Sequence, residues 1–380
     1  MKIAFRTDAS LQIGSGHVMR CLTLADALTA QGAQCHFISR AHPGHLLELI
    51  RQRGYKVNSL PAPVQHAQTA MKVDKSEDDT QAQPLAHAAW LGCDWETDAL
   101  QTGAVLATLK PDWLITDHYA LALPWEVALR PHYIKLMVID DLADRAHICD
   151  VLLDQNWFGD ETTNRYNARV PSHCIKLLGP KYALIKPEYT QLRQLMPPRD
   201  GIVRRVLVFM GGSDPSSQTA KVLHALSVSE LMTLALDVVV GVNHPDPRGI
   251  QELVTARPAT TLHQNLPCLA GLMARADLMI GAGGSTTWER MCLGLPAIVI
   301  SVAANQTSTN IALMNAGYID FLGEMNQVTV ETIAQALQRC LSNPATLSIQ
   351  SDLCQTLVDG DGTQVLSSVL LHSVTLGIAN

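Results

Sequence analysis

Short aliphatic runs alternate along this chain with stretches in which apolar residues recur at helical spacing. It opens on KIAFRTD, a β-strand pattern, turns through ASLQIGSG and continues in HVMRCLTLADALTAQG, where Val18, Cys21, Leu22, Ala25 and Leu28 share one helix face and Gly32 supplies the stop. The strand CHFIS follows at once. Strand, helix and strand with short connections is the pattern of a parallel sheet wound by crossover helices. It returns at WLITD, after a helical stretch, and at KLMVIDD. Residues 64–84 break the rhythm, being polar, acidic and nearly free of large aliphatics, and read as a mobile surface loop. The rhythm restarts at MPPRDGIVRRVLVFMGG, where Pro197, Pro198, Arg199, Asp200 and Gly201 read as a linker before an apolar strand. The strands RVLVFM, ALDVVVG, DLMIGA and PAIVIS then alternate with helical segments, and residues 325–377 read as helices. The expected fold is α/β, two Rossmann-like domains over residues 1–195 and 202–380, with parallel sheets facing across a cleft.

Composition narrows the field of functions. The 380 residues suit two domains, and 47% hydrophobic with 17% charged residues is globular composition. A net charge of −7 argues against nucleic acid as the main partner. No apolar run approaches the roughly 20 residues that span a bilayer, and Arg6 and Asp8 interrupt the apolar run a signal peptide needs, so the expected location is cytoplasmic without membrane insertion. The nine cysteines include no C-x-x-C pair, which signals neither a zinc site nor a redox motif and leaves buried, reduced thiols as the expectation.

The glycine loops decide which Rossmann chemistry is on offer. Gly14-Ser15-Gly16-His17-Val18-Met19 puts Met where a dinucleotide fingerprint needs its third glycine, and no acid ends the next strand, so a nicotinamide cofactor is not expected. A P-loop motif is absent. In the second half two strands run into glycine turns, one at Gly211-Gly212-Ser213 and one at Gly281-Ala282-Gly283-Gly284-Ser285 before a helix that starts near Thr286. Backbone N–H groups and a hydroxyl at a strand's carboxyl end suit a diphosphate, although the same glycines serve equally to turn the chain. Glu289, one turn in from Ser285, could accept hydrogen bonds from both hydroxyls of a ribose, or close a capping box with Thr286. His17 stands where the first loop meets its helix. A helix N-terminus disfavours a cation, so an imidazole there could take a proton from water, or simply satisfy the loop. Asp8 ends the first strand and could orient His17 or a sugar hydroxyl, or cap the loop. Arg20 is better suited to pairing with a carboxylate than to phosphate. Trp90 and Trp95 flank LGCD and could stack on a ligand, although buried aromatics more often belong to the core.

The opening RTDASLQIGSGHVMRCLTLADAL, the segments HAAWLGCDWETDA, VIDDLADRAHICDVLLDQN, GPKYALIKPEY and GGSDPSSQT, and the tail GAGGSTTWERMCLGLPAIVISVAANQ resemble the UDP-2,4-diacetamido-2,4,6-trideoxy-β-L-altropyranose hydrolases of pseudaminic acid biosynthesis. That family shares the GT-B architecture of the lipid-II N-acetylglucosaminyltransferases. The resemblance spans nearly the whole chain and is most specific in the opening motif. It implies that His17 is the catalytic base on the loop of Gly14 and Gly16. It further implies that the turn of Gly211, Gly212 and Ser213 and the loop from Gly281 through Gly283 and Gly284 to Ser285 contact the diphosphate, Glu289 the ribose and Asn305 the substrate; Asp8, Gly14, Gly16, Thr286 and Gln306 complete the expected substrate- and nucleotide-binding set. Lys186 departs from the arginine expected there and loses its bidentate fork; the acids around Glu77, Asp78 and Asp79 match nothing in the family. The implied reaction is attack of His17-activated water on the anomeric carbon, releasing UDP and an inverted free sugar. UDP is a good enough leaving group that neither a second carboxylate, a metal nor a cofactor is required. The alternatives are a glycosyltransferase of the same fold and a UDP-sugar-binding protein without activity.

Overall fold

The computed structural model describes residues 1–62 and 85–375, so the acidic segment 64–84 lies wholly outside the described residues. In chain order the elements are β1 (Lys2–Thr7), α1 (Gly16–Ala30), β2 (Gln34–Arg40), α2 (Leu47–Gln52), β3 (Lys56–Leu60), α3 (Trp95–Leu109), β4 (Trp113–Asp117), α4 (Leu123–Leu129), β5 (Lys135–Ile139), β6 (Val151–Asp154) and β7 (Ile175–Leu178). They continue with α5 (Pro187–Leu195), β8 (Arg205–Phe209), α6 (Gln218–Leu226), β9 (Ala235–Val240), α7 (Pro247–Ala256), β10 (Thr260–Gln264), α8 (Ala270–Arg275), β11 (Leu278–Ala282), α9 (Thr286–Cys292), β12 (Ala297–Ser301), α10 (Ala304–Asn315), β13 (Asp320–Glu324), α11 (Val330–Ser342), α12 (Pro344–Leu357) and α13 (Gly362–Thr375). The strands and helices read from the apolar pattern are present. On α1 the predicted face of Val18, Cys21, Leu22, Ala25 and Leu28 is buried.

Two sheets result, ordered β3-β2-β1-β4-β5-β6-β7 and β10-β9-β8-β11-β12-β13. In each, the first strand of the unit lies inside the sheet. The chain winds outward on one side, then returns to lay the fourth strand of the unit against the first from the other side. β1 pairs in parallel with both β2 and β4, and β8 with both β9 and β11. Loops leaving such a strand pair diverge, and the crevice between them, at the carboxyl ends, is where open α/β sheets bind ligands. The strands are apolar on both faces because helices cover both. Val206 and Val208 of β8 enter one core with Val222, Leu226, Leu236 and Ile280, while Leu207 enters the other with Met279, Trp288 and Val299. Each such side chain contributes about 1.5–3 kcal/mol by leaving water.

The chain divides into two compact units, Met1–Leu153 with Tyr166–Lys176, and Asp154–Arg165 with Leu177–Asn380. The boundary therefore departs from the 195–202 junction expected of the sequence. The α5 helix packs on α8 and α9, and Arg193 donates to the carbonyls of Cys292, Gln355 and Val358. The Pro/Gly cluster is no free linker either. Arg199 donates to the carbonyls of Met273, Ala276 and Leu293, and a Cβ at Gly201 would lie 1.9 Å from the Pro344 oxygen. A composition that reads as a hinge is here fastened to the second unit by its arginines. The nine cysteines are free thiols, though Cys35, Cys93 and Cys268 are only part-buried.

Candidate active site

In the first unit the crevice between β1 and β4 is filled with ionisable side chains. The loop after β1 is closed by the Gly14 N–H on the Ser10 carbonyl (2.9 Å), Gly16 begins α1, and His17 follows within its first turn. Asp117 is the last residue of β4, the strand beside β1, so sheet register delivers its carboxylate to the same point. His17 Nδ1 lies 2.5 Å from Asp117 Oδ1. Arg20, one turn further along α1, grips the same carboxylate with Nε (2.6 Å) and Nη2 (2.7 Å), and reaches Asp141 at 3.4 Å. Burial pushes the Asp117 carboxyl up, but Arg20 and then His17 outweigh it and hold it well below the ordinary range. A carboxylate on Nδ1 fixes the tautomer that leaves Nε2 as the acceptor. Nε2 makes no hydrogen bond among the described residues, while the Tyr119 ring stands edge-on to the imidazole at 4.7 Å.

Asp8 is not the partner of His17. It is fully buried and accepts from Arg6 Nη1 (2.6 Å), the Arg40 amide (2.7 Å) and Ser39 Oγ (3.2 Å), with His42 and His118 Nε2 each 3.5 Å away. Burial raises this carboxyl, and Arg6 together with His42 and His118 more than reverses that, holding it well below the ordinary range. Arg6 and Arg40 in turn share Asp98, which also accepts from the Trp125 indole (3.0 Å). Arg6 lies on β1 and Arg40 on β2, so Asp8 and Asp98 tie the two strand ends together. Burial holds the His118 imidazole down to about 3, against the pull of Asp8. Its Nδ1 accepts the Ala120 N–H at 3.1 Å, which pins the backbone just after Asp117.

The second unit presents a different surface at the matching crevice. Gly211, Gly212 and Ser213 follow β8, and Gly283, Gly284 and Ser285 follow the neighbouring β11. The helix after the first turn is already capped: Asp214 accepts from the amides of Gln218 and Thr219, both at 2.8 Å. Helix α9 carries no side-chain cap at Ser285, and Thr286 and Glu289 form no capping box. Gly283 is required by contact, since a Cβ there would lie 2.0 Å from Asn310 Nδ2, which donates to Ser301 Oγ at 3.0 Å. Asn305 and Gln306 lie in the first turn of α10; Gln306 Oε1 accepts the Val302 N–H at 3.1 Å, and its amide nitrogen stands beside Gly284. Glu289 is part-buried one turn into α9. Burial pushes its carboxyl up to about 6, opposed by the Tyr189 hydroxyl bond and the Lys186 charge. Lys186 itself donates to the Pro267 carbonyl at 2.7 Å. Tyr189 and Lys186 come from the segment that the sequence pattern had placed in the first domain.

The sequence pattern brought His17 forward and missed its partner. The available signal was the acid ending WLITD, a strand that pairs with β1. Among the described residues no group of three or more His, Cys, Asp or Glu side chains is arranged to hold a metal ion, and no helix is long and apolar enough to cross a membrane.

Two Rossmann-like units, each with a crevice at the switch point of its parallel sheet, make up a GT-B type fold. The MurG structure from Acinetobacter baumannii matches 98% of this chain and 99% of its own, with a TM-score of 0.64 at 15% identity. Residues 206–356 match the glycosyltransferase family 28 C-terminal domain. The UDP-2,4-diacetamido-2,4,6-trideoxy-β-L-altropyranose hydrolase of Campylobacter jejuni is 24% identical over 84% of this chain and 98% of that protein. The spore coat polysaccharide biosynthesis protein SpsG of Bacillus subtilis is 30% identical over 50% of this chain. The match spans 57% of SpsG and 55% of an uncharacterized Methanocaldococcus jannaschii protein, little more than half the length of either.

Proposed function

We propose that this chain hydrolyses a UDP-sugar, with UDP-2,4-diacetamido-2,4,6-trideoxy-β-L-altropyranose as substrate. The observation that carries the reading is the His17–Asp117 pair at the β1/β4 crevice, with Nε2 left as an unengaged acceptor. The Campylobacter jejuni relative, matched over nearly its whole length, supports the substrate. In this reading water gives its proton to His17 Nε2 as its oxygen bonds to the anomeric carbon. The bond from that carbon to the diphosphate oxygen breaks, and UDP leaves as the anion. Asp117 holds the Nδ1 proton and stabilises the imidazolium that forms. The nucleotide belongs to the glycine turns of the second unit, with Glu289 on the ribose.

Attack at carbon suits a site that relies on backbone donors, whereas attack at phosphorus would drive a nucleophile onto a dianionic diphosphate and ordinarily calls for a metal. The test is incubation with a panel of UDP-sugars in ¹⁸O-water, with EDTA and without acceptor. The expected products are unlabelled UDP and a free sugar labelled at its anomeric oxygen. Label in UDP, or activity lost to EDTA and restored by Mg²⁺ or Mn²⁺, overturns the mechanism. The family 28 match supports a second reading, transfer to an acceptor hydroxyl; UDP release only when an acceptor is added would establish it.

A further inference from the structure

Trp90 differs from the tryptophans of the sheet cores. Trp113 and Trp125 are at most 1% exposed, whereas Trp90 is only part-buried. It lies in a single 3-10 turn, Ala88–Leu91, anchored by the buried Leu91 while Ala88 and Ala89 face water. Its indole ring centroid is 4.4 Å from that of His87 and 5.6 Å from that of Tyr119, and His87 stands 5.2 Å from Tyr119. Tyr119 is the ring that meets His17 edge-on. The indole N–H has no hydrogen-bond partner among the described residues. Three rings thus form a continuous wall beside the catalytic imidazole, with one unengaged donor in it.

We infer that Trp90, backed by His87 and Tyr119, is a specificity-determining residue that stacks on the apolar face of the sugar of the UDP-sugar. This rests on the proposed function and deepens it. A sugar with a deoxygenated C6 and N-acetyl groups offers more C–H surface to such a wall than glucose does, and an acetamido carbonyl is a ready acceptor for the indole N–H. Burial holds the His87 imidazole down, so the ring beside Trp90 is neutral at pH 7 and stacks without a charge to solvate.

The test compares equilibrium affinities for UDP and for the intact diacetamido UDP-sugar in a His17→Asn background, which spares the substrate from turnover. Trp90→Ala should weaken the UDP-sugar by roughly tenfold and leave UDP within about twofold, while Trp90→Phe keeps most of the affinity. In the otherwise wild-type enzyme Trp90→Ala should act on KM more than on kcat. Undiminished UDP-sugar affinity in Trp90→Ala overturns the inference, as does an equal loss for UDP, which would place the wall on the nucleotide. Should Trp90→Ala fail to fold, Trp90→Leu decides: wild-type affinity with an aliphatic side chain overturns an aromatic wall. A wild-type protein that releases no UDP from any UDP-sugar would sink the hydrolase reading alone, because the binding comparison still reports on Trp90.

Discussion

The two crevices are built on the same topology and furnished with opposite chemistry. Between β1 and β4 stand His17, Arg20, Asp117 and Asp141, with Asp8 and Asp98 paired to arginines beneath them. Between β8 and β11 stand glycine turns, Ser213, Ser285, the capping carboxylate Asp214 and Glu289, whose carboxyl burial pushes up to about 6. A parallel sheet with its first strand inside fixes where a ligand can enter; it leaves open whether the residues there move protons or only bind. Buried ion pairs make the first crevice rigid and able to hold a charge as it develops. The second offers small residues, hydroxyls and backbone dipoles, which suit an anion.

That contrast is sharpened most by exchanging its terms. His17→Asn should lower turnover by at least about 100-fold, the loss expected with a general base, while UDP affinity by calorimetry stays near wild type. Glu289→Ala should do the reverse, weakening UDP by about 1.5–3 kcal/mol, the range for hydrogen bonds to a charged group, with a smaller change in kcat. If His17→Asn cost UDP affinity, or Glu289→Ala cost only kcat, the division between a chemical and a binding crevice would be wrong.

Asp117→Asn asks how far the chemistry of the first crevice depends on the group behind the imidazole. An amide oxygen can still accept from Nδ1, but it does not balance the imidazolium, and Arg20 loses half of its charged fork. Turnover should fall at least about tenfold, because the carboxylate fixes the tautomer and stabilises the imidazolium that forms. The pH–rate profile should shift and UDP affinity should hold. A variant that loses only thermal stability, with its pH profile intact, would make Asp117 a packing residue.

The sequence pattern carried the strands, the helices and the glycine turns because each is encoded within a few neighbouring residues. His17 was legible for the same reason, sitting in a loop whose glycines and following helix are contiguous. Asp117 was not, since its pairing with His17 exists only once β4 lies against β1, 100 residues away. Asp8 stayed open because a strand-ending acid looks the same whether it orients a histidine, meets a ligand or pairs with an arginine of its own strand. Only the folded chain shows it on Arg6 and the Arg40 amide instead of on His17. The domain boundary failed at Arg193 and Arg199, whose charges read as surface and whose guanidinium groups bind carbonyls at helix ends in the second unit. Trp90 could not be placed from its neighbours in sequence, because the Tyr119 ring it packs beside comes from just beyond the end of β4.

The smallest expected effect concerns pH and Glu289. Its carboxyl is raised from an ordinary 4.5 to about 6, first by burial. The fold therefore prefers it neutral, and the stability it contributes is present below about pH 4.5 and lost as pH rises through about 6. Ribose hydroxyls prefer the opposite state, because a carboxylate accepts from two donors and a neutral acid offers one acceptor fewer. Glu289→Gln, neutral at every pH, should thus be more stable than wild type above pH 6, by less than about 2 kcal/mol for a shift of this size, with no difference below pH 4.5. UDP binding should show the converse: wild-type affinity falls by less than about tenfold between pH 7 and pH 5, following the ionised fraction, whereas Glu289→Gln binds weakly and evenly over that range. A wild-type UDP affinity flat from pH 7 to pH 5 would show that the ribose does not use this carboxylate. The second crevice would then bind through its backbone alone.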